Sequence, residues 1–249
     1  MAPPSNRALA AWREAEVVAA GAVAADPDAL SRRETLAAYA AGTSGCTKCR
    51  LATGRTQVVF GAGDPNADLM FVGEAPGFHE DKQGYPFVGQ AGKLLDQLLA
   101  GIGLTRDDVY IANVLKCRPP GNRDPQPDEI EACEPHLFRQ LELIRPRVVA
   151  TLGNFATKLL SGKSYGITRV HGRPQETTLG GRRVTLYPLY HPAAALYTPA
   201  MLRTLEDDFA RLPGLLVEEP EPAQEAKVIQ FPVTVAVATA TPQEQLGLF

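Results

Sequence analysis

The amino-acid sequence predicts an α/β fold with a largely parallel sheet, on three observations. Short apolar runs that lead into glycine, Val58–Phe60 and Leu69–Val72, suit buried strands. Other segments carry apolar residues at helical spacing, as Lys93–Ile102 does with Leu94, Leu95, Leu98, Leu99 and Ile102. The two kinds alternate along the chain, the pattern of a sheet whose strands are joined by helices.

Taken in order, residues 1–42 are Ala-rich and helix-prone (ALAAWREAEVVAA, then RRETLAAYAA), with a break near Asp26-Pro27-Asp28. After the two early strands and the helix at 93–102, Thr105-Arg-Asp-Asp108 has the spacing of a capping box. Val109–Leu115 reads as a strand, Asp128–Ile144 as an amphipathic helix and Val148–Leu152 as a buried strand. Asn154–Leu160 is a short helix. Gly180-Gly181 joins two runs into a hairpin that ends at Leu186–Tyr190, and Met201–Leu212 is the last helix. From Pro213 the periodicity stops, and 213–242, containing EEPEPAQEAK, is expected to be a disordered tether. The expected organisation is an N-terminal extension (1–42), a main domain (43–212) and a tail (213–249).

Composition narrows the classes. The chain has 249 residues, 45% of them hydrophobic, and a net charge of −3. No run approaches the ~18 consecutive apolar residues of a membrane helix. Charges interrupt the N-terminus where a signal peptide needs an apolar stretch, so a cytoplasmic protein without membrane contact is expected. The tail holds five glutamates against one lysine, a net of −4, which leaves +1 for the first 212 residues. Overall charge therefore neither demands nor excludes a nucleic-acid partner.

Cys46, Cys49, Cys117 and Cys133 are the four cysteines, spaced C-x2-C and, far downstream, C-x15-C. Four are too few for a disulfide scaffold, and a cytoplasmic chain keeps them reduced. A CxxC turn brings two thiolates to one metal centre, and a second pair from other elements would staple the N-terminal segment to the core. Four thiolates fit structural zinc or a cubane iron–sulfur cluster, and spacing alone does not separate them.

Polar residues gather at expected strand ends, where open α/β sheets bind ligands. Gly73-Glu74-Ala75-Pro76-Gly77 follows DLMFV, and its glycines let backbone amides approach a ligand. Asn113, inside VYIANVLKC, lies near the end of its strand, and its amide suits a pyrimidine edge, donating to a carbonyl while accepting from an N–H. Glu80 follows the first turn. Phe87, between Pro86 and Gly89, offers a face for stacking a base. His191 ends LYPLY, placed to donate to a developing anion. Lys116, Arg118, Arg123, Arg169 and Arg173 lie in nearby loops and are read as phosphate contacts.

Together CTKCRL, GRTQVVFGAG, GEAPGFHEDKQGYPFVGQAG, NVLKCRPPGNR and YHPAA, in that order, resemble the family-4 uracil-DNA glycosylases, the iron–sulfur branch of their superfamily. The resemblance runs from about Cys46 to about Leu212. It implies a three-layer α/β/α sandwich around a four-stranded, mainly parallel sheet, and a [4Fe-4S] cluster on the four cysteines. It implies uracil held by the backbone of Gly73, Glu74 and Ala75, stacked on Phe87 and read at O4 and N3–H by Asn113. His191 would donate to O2, and Glu80 would crowd C5 against a thymine methyl. Ala75 stands where family-1 enzymes carry an aspartate that assists water, which leaves Glu74, Glu80 or substrate phosphates for that role. Leu196 follows as a duplex wedge, without the arginine that relatives carry after it. The implied partner is uracil-containing DNA, double- or single-stranded, acted on by a monomer at the nucleoid.

The chain ends in QLGLF. Gln245, Leu246, Leu248 and Phe249 resemble peptides that bind the bacterial sliding clamp, apolar anchors on a polar leash. Two other classes compete with a repair hydrolase: an iron–sulfur electron carrier or redox sensor, and a zinc-stapled DNA-binding module without catalysis.

Overall fold

The structure, a computed structural model, describes residues 27–217. Helix α1 (Pro27–Thr43) leads to six strands: β1 (Ala62–Gly63), β2 (Leu69–Gly73), β3 (Tyr110–Asn113), β4 (Val148–Leu152), β5 (Gln175–Leu179) and β6 (Arg182–Leu189). Between and after them run α2 (Phe78–Gln83), α3 (Gln90–Gly101), α4 (Pro127–Ile144), α5 (Asn154–Ser161), α6 (Ile167–Val170), α7 (Pro192–Ala195), α8 (Pro199–Phe209) and α9 (Leu212–Val217).

The sheet order is β1-β3-β2-β4-β6-β5. The central strands β3, β2, β4 and β6 are parallel. They are the expected four-stranded sheet, to which β1 and β5 add one antiparallel strand at each edge. Alternation along β2 divides the core. Leu69 and Phe71 face one apolar layer with Leu95, Leu99, Leu205 and Phe209. Met70 and Val72 face the other, with Leu36, Leu137, Leu141 and Leu160. The result is the three-layer α/β/α sandwich.

Three local readings change. Val58–Phe60 is extended but not a strand; Val59 N–H donates to the Lys116 carbonyl (2.8 Å), and only Ala62–Gly63 joins the sheet. Second, 213–217 is not tether: Leu212 and Leu216, one helical turn apart, are buried against the first apolar layer. Pro213 lies in the first turn, where its missing N–H costs nothing. Third, the last part of the 1–42 segment is integrated with the core, since α1 buries Leu36 and packs on α4. Residues 1–26 and 218–249, including Gln245, Leu246, Leu248 and Phe249, lie outside the described residues.

The hairpin forms at Gly180-Gly181, whose φ values of +55° and +74° are what a two-residue turn of this hand requires. Among the described residues no helix is long and apolar enough to cross a membrane. The two ends of the sheet differ. The loops after the parallel strands build the site below. At the opposite end a cavity of about 120 Å³ is lined by Asp64, Asp68, Asp107 and Asp108.

Candidate active site and cysteine centre

A cavity of about 620 Å³ opens beyond the carboxyl ends of β2, β3 and β6. Order reverses there, because β3 and β4 flank β2 on opposite sides, the position where open α/β sheets place their ligands. Glu74, Ala75, Phe87, Asn113, His191 and Leu196 line it, so the loops and strand ends named from the sequence converge on one space.

Asn113 closes β3 and is 2% exposed. Its Oδ1 is the one buried side-chain polar atom without a hydrogen-bond partner among the described residues. An unpaired buried acceptor costs about 1–3 kcal/mol, which a ligand N–H would recover. Beneath it, Gly73 must be glycine: a Cβ there would stand 2.7 Å from Phe87 Cζ and closer still to Asn113 Oδ1.

Phe87 forms another wall and stacks on His191. Its φ of +54° is unusual for a residue with a side chain and needs external support. Arg106 supplies part of it, donating to the carbonyls of Pro86 (2.9 Å) and Phe87. Glu80 supplies the rest. One carboxylate oxygen accepts from the N–H groups of Val88 and Gly89 (both 2.9 Å), the other from Gly77 N–H (3.1 Å). Glu80 thus lines the cavity, but its oxygens clasp the two loops that shape it, which leaves it poorly disposed to act as a base.

His191 is the N-cap of α7, and its Nδ1 accepts from Ala193 N–H (3.1 Å). That bond puts the ring proton on Nε2. Desolvation lowers its pKa to about 4, with the Glu80 charge opposing, so the imidazole is neutral near pH 7 and Nε2–H is a donor. Glu74 is half-buried; desolvation raises its pKa and the charge of Asp124 adds to the effect.

The basic residues divide. Lys116 is 1% exposed, so it is not a phosphate contact. Arg123 lines the cavity but makes a two-pronged pair with fully buried Glu129 (2.9 and 2.5 Å), which also accepts from Gln126 N–H at the start of α4. That guanidinium is committed to the fold. Arg118 donates to Asn122 (2.7 Å) and covers the ring of half-exposed Phe78; Arg169 covers Tyr165, and Arg173 is exposed. Leu196 is partly buried and packs on the first apolar layer, whereas Tyr197 beside it is 89% exposed. Sequence reading passed over Tyr197, whose exposure comes from the turn between α7 and α8.

The four cysteines line a second, smaller cavity. Among the described residues no three His, Cys, Asp or Glu side chains converge closely enough to hold a single ion. What the thiols share is a space rather than a point. Donors surround them: Lys116 N–H to Cys133 Sγ (3.2 Å), Arg55 Nη1 to Cys117 Sγ (3.6 Å), and His136 Nε2 beside Cys46 Sγ (3.5 Å). Tyr39 meets the other nitrogen of His136 (2.7 Å), an arrangement in which a donating hydroxyl leaves the Nε2 proton on the sulfur side. N–H groups aimed at sulfur suit thiolates. Burial nevertheless pushes the Cys117 thiol up to about 11 and raises Cys133, so these two thiols hold their protons when free and metal binding would release them.

Fold and cavity place the protein among the α/β folds with a mainly parallel sheet and a cavity at its carboxyl edge. Residues 60–211 match the uracil DNA glycosylase superfamily. The type-4 uracil-DNA glycosylase of Sulfurisphaera tokodaii is 49% identical over 69% of this chain and 80% of its own length. Those of Archaeoglobus fulgidus and Thermotoga maritima are 50% and 46% identical, each over 67% of this chain and 86% and 85% of their own lengths. The chain therefore belongs to the uracil-DNA glycosylase superfamily, in its type-4 branch.

Proposed function

We propose that the protein is a DNA-repair glycosylase that hydrolyses the N-glycosidic bond of uracil in DNA, yielding free uracil and an abasic site. The unpartnered Oδ1 of Asn113 at the cavity floor carries this reading. It asks for an N–H, and uracil offers N3–H there while its O4 takes the amide's own donor. Cytosine presents a bare acceptor at N3 and an amino group at C4, so both groups of Asn113 would face the wrong partner. A redox carrier or a metal-stapled DNA-binding module needs no such pocket.

A base inside a duplex is out of reach, so it is flipped out, at a cost of a few kcal/mol. The base then stacks on Phe87 with the Gly73–Glu74–Ala75 backbone at its edge. Bond breaking leaves positive charge on the sugar and negative charge on uracil. His191 Nε2–H donates to O2, where that negative charge gathers; loss of one such donor typically costs ~10²–10³ in rate. Ala75 cannot orient water. Glu74, whose pKa burial raises, takes that role, and Glu80 is a positioning residue that braces the wall excluding a thymine methyl.

Cys46, Cys49, Cys117 and Cys133 would hold a [4Fe-4S] cluster, which supplies a structural staple between the N-terminal segment and α4. Arg118, Arg169 and Arg173 are offered to phosphates. Leu196 at the cavity wall, with the exposed Tyr197 beside it, would fill the gap left by the flipped base. Gln245, Leu246, Leu248 and Phe249 would dock a sliding clamp, holding a monomer near replicating DNA in the cytoplasm.

Purified protein incubated with a uracil-containing oligonucleotide and then alkali should give strand cleavage. Asn113→Ala and His191→Ala should each lower kcat/KM by roughly 10²–10³. Full activity in both variants would sink the site assignment. Deleting residues 243–249 should abolish clamp binding and leave cleavage of short oligonucleotides intact.

A further inference from the structure

Lys116 lies between the two cavities and has no part in the chemistry above. Its Nζ donates to the carbonyl of Asn113 (2.8 Å) and to Gln140 Oε1 (2.5 Å), and no carboxylate pairs with it among the described residues. Gln140 is itself held, donating to the Phe60 carbonyl (2.9 Å). The Lys116 backbone N–H meets Cys133 Sγ at 3.2 Å, and the next residue is Cys117. Cys133 and Gln140 stand two turns apart on α4, so one helix face receives both ends of the same residue.

A buried ammonium is costly to bring out of water and demands close acceptors and opposite charge. Here its acceptors are the backbone of the base-reading residue and an anchored amide, and the ionisable groups that feel its charge are the Cys133 thiol and the His136 ring.

We propose that Lys116 is a positioning residue that ties the base-reading end of β3 to the cysteine centre, holding the Asn113 carbonyl so that Oδ1 stays aimed into the base cavity. It rests on the uracil-reading role of Asn113. With thiolates at the centre, the ammonium gains its counter-charge and the strand end gains a fixed anchor. Without the ammonium, Asn113 keeps its place in the strand but loses the brace that orients its side chain.

The test uses full-length, cluster-loaded protein carrying Lys116→Met, which preserves chain length and the backbone N–H to Cys133. Inhibition by free uracil should weaken roughly ten- to a hundredfold, the range for losing a hydrogen bond to a charged group. Affinity for abasic-site DNA, which has no base to read, should stay at the wild-type value. Iron content should match wild type, while iron loss to a chelator quickens. Gln140→Leu should weaken uracil inhibition in the same direction and to a smaller extent, and it serves as the readout should Lys116→Met not fold. Wild-type uracil inhibition in whichever of these variants folds overturns the proposal. A parallel fall in abasic-DNA affinity also overturns it, since that signature is general loosening. Absence of uracil inhibition and of cleavage in the unmodified protein would instead overturn the glycosylase reading.

Discussion

Phe87 and His191 stack at the wall of the larger cavity, their ring centroids 5.6 Å apart and their planes 25° from parallel. One comes from the loop before α3 and the other from the end of β6, so two separate parts of the fold set the rings against each other. Each is held by other residues: the loop carrying Phe87, with its positive φ, by Arg106 and Glu80, and the His191 ring by Ala193 N–H at Nδ1. Under the proposed chemistry, such preorganisation would leave the site little to reorganise when charge appears on the leaving group.

Gly73→Ala places a methyl group against Phe87 and Asn113. Uracil cleavage should fall by at least roughly 10²-fold, because displacement of about 1 Å at a reacting group is enough for that. Far-UV circular dichroism should remain that of the parent protein, since Gly73 is the last residue of β2 and the methyl meets two side chains rather than backbone.

The pH response of His191 has a definite sign. Its folded pKa, about 4, lies below the ordinary 6.5, so the unfolded chain binds the extra proton first. Its contribution to stability is whole above about 6.5 and is lost as the pH falls from there through 4. Cleavage should show no His191 limb near 6.5, because the neutral donor persists to about 4. Nitrogen NMR of the ring should show Nε2 protonated at pH 7; titration near 6.5 would contradict the desolvation argument.

Arg123→Ala should act on stability, not on the electrostatics of DNA binding. It leaves Glu129, fully buried, without its main partner, whose hydrogen bonds hold that carboxyl below its usual range. The melting temperature should drop by several degrees, and the salt dependence of DNA affinity should stay near that of wild type. Arg169→Ala should do the reverse, reducing the salt slope by about one ion and leaving the melting temperature unchanged.

Tyr197→Ala should lower activity on duplex substrates roughly tenfold, the worth of one base–aromatic stack. Single-stranded substrates, which have no opposing base to replace, should be cleaved nearly as before. Equal losses on both would assign Tyr197 to another role.

Much of this was legible in the residues. Val148–Leu152 is a strand as read, because a wholly buried strand shows as an unbroken apolar run. Asn113 was legible for the opposite reason, a polar residue inside an apolar run. Glu80's clasp was not, since its partners are backbone N–H groups three, eight and nine residues away, with no side-chain signature. Arg123 looked like a phosphate contact because its partner Glu129 reads as an ordinary first-turn acid of α4. Lys116 passed for a loop cation because it comes just after the strand read at Val109–Leu115 and a lysine is rarely buried whole. The helix at 212–217 hid behind Pro213 and Gly214, which read as breakers until Leu212 and Leu216 are seen packed in the core.

At the far end of the sheet Asp64, Asp68, Asp107 and Asp108 share one small recess, where Arg33 answers Asp64 across 3.4 Å. Carboxylates gathered in this way make that recess an unfavourable neighbour for a phosphodiester backbone, so a nucleic acid has one end of the sheet to settle on rather than two.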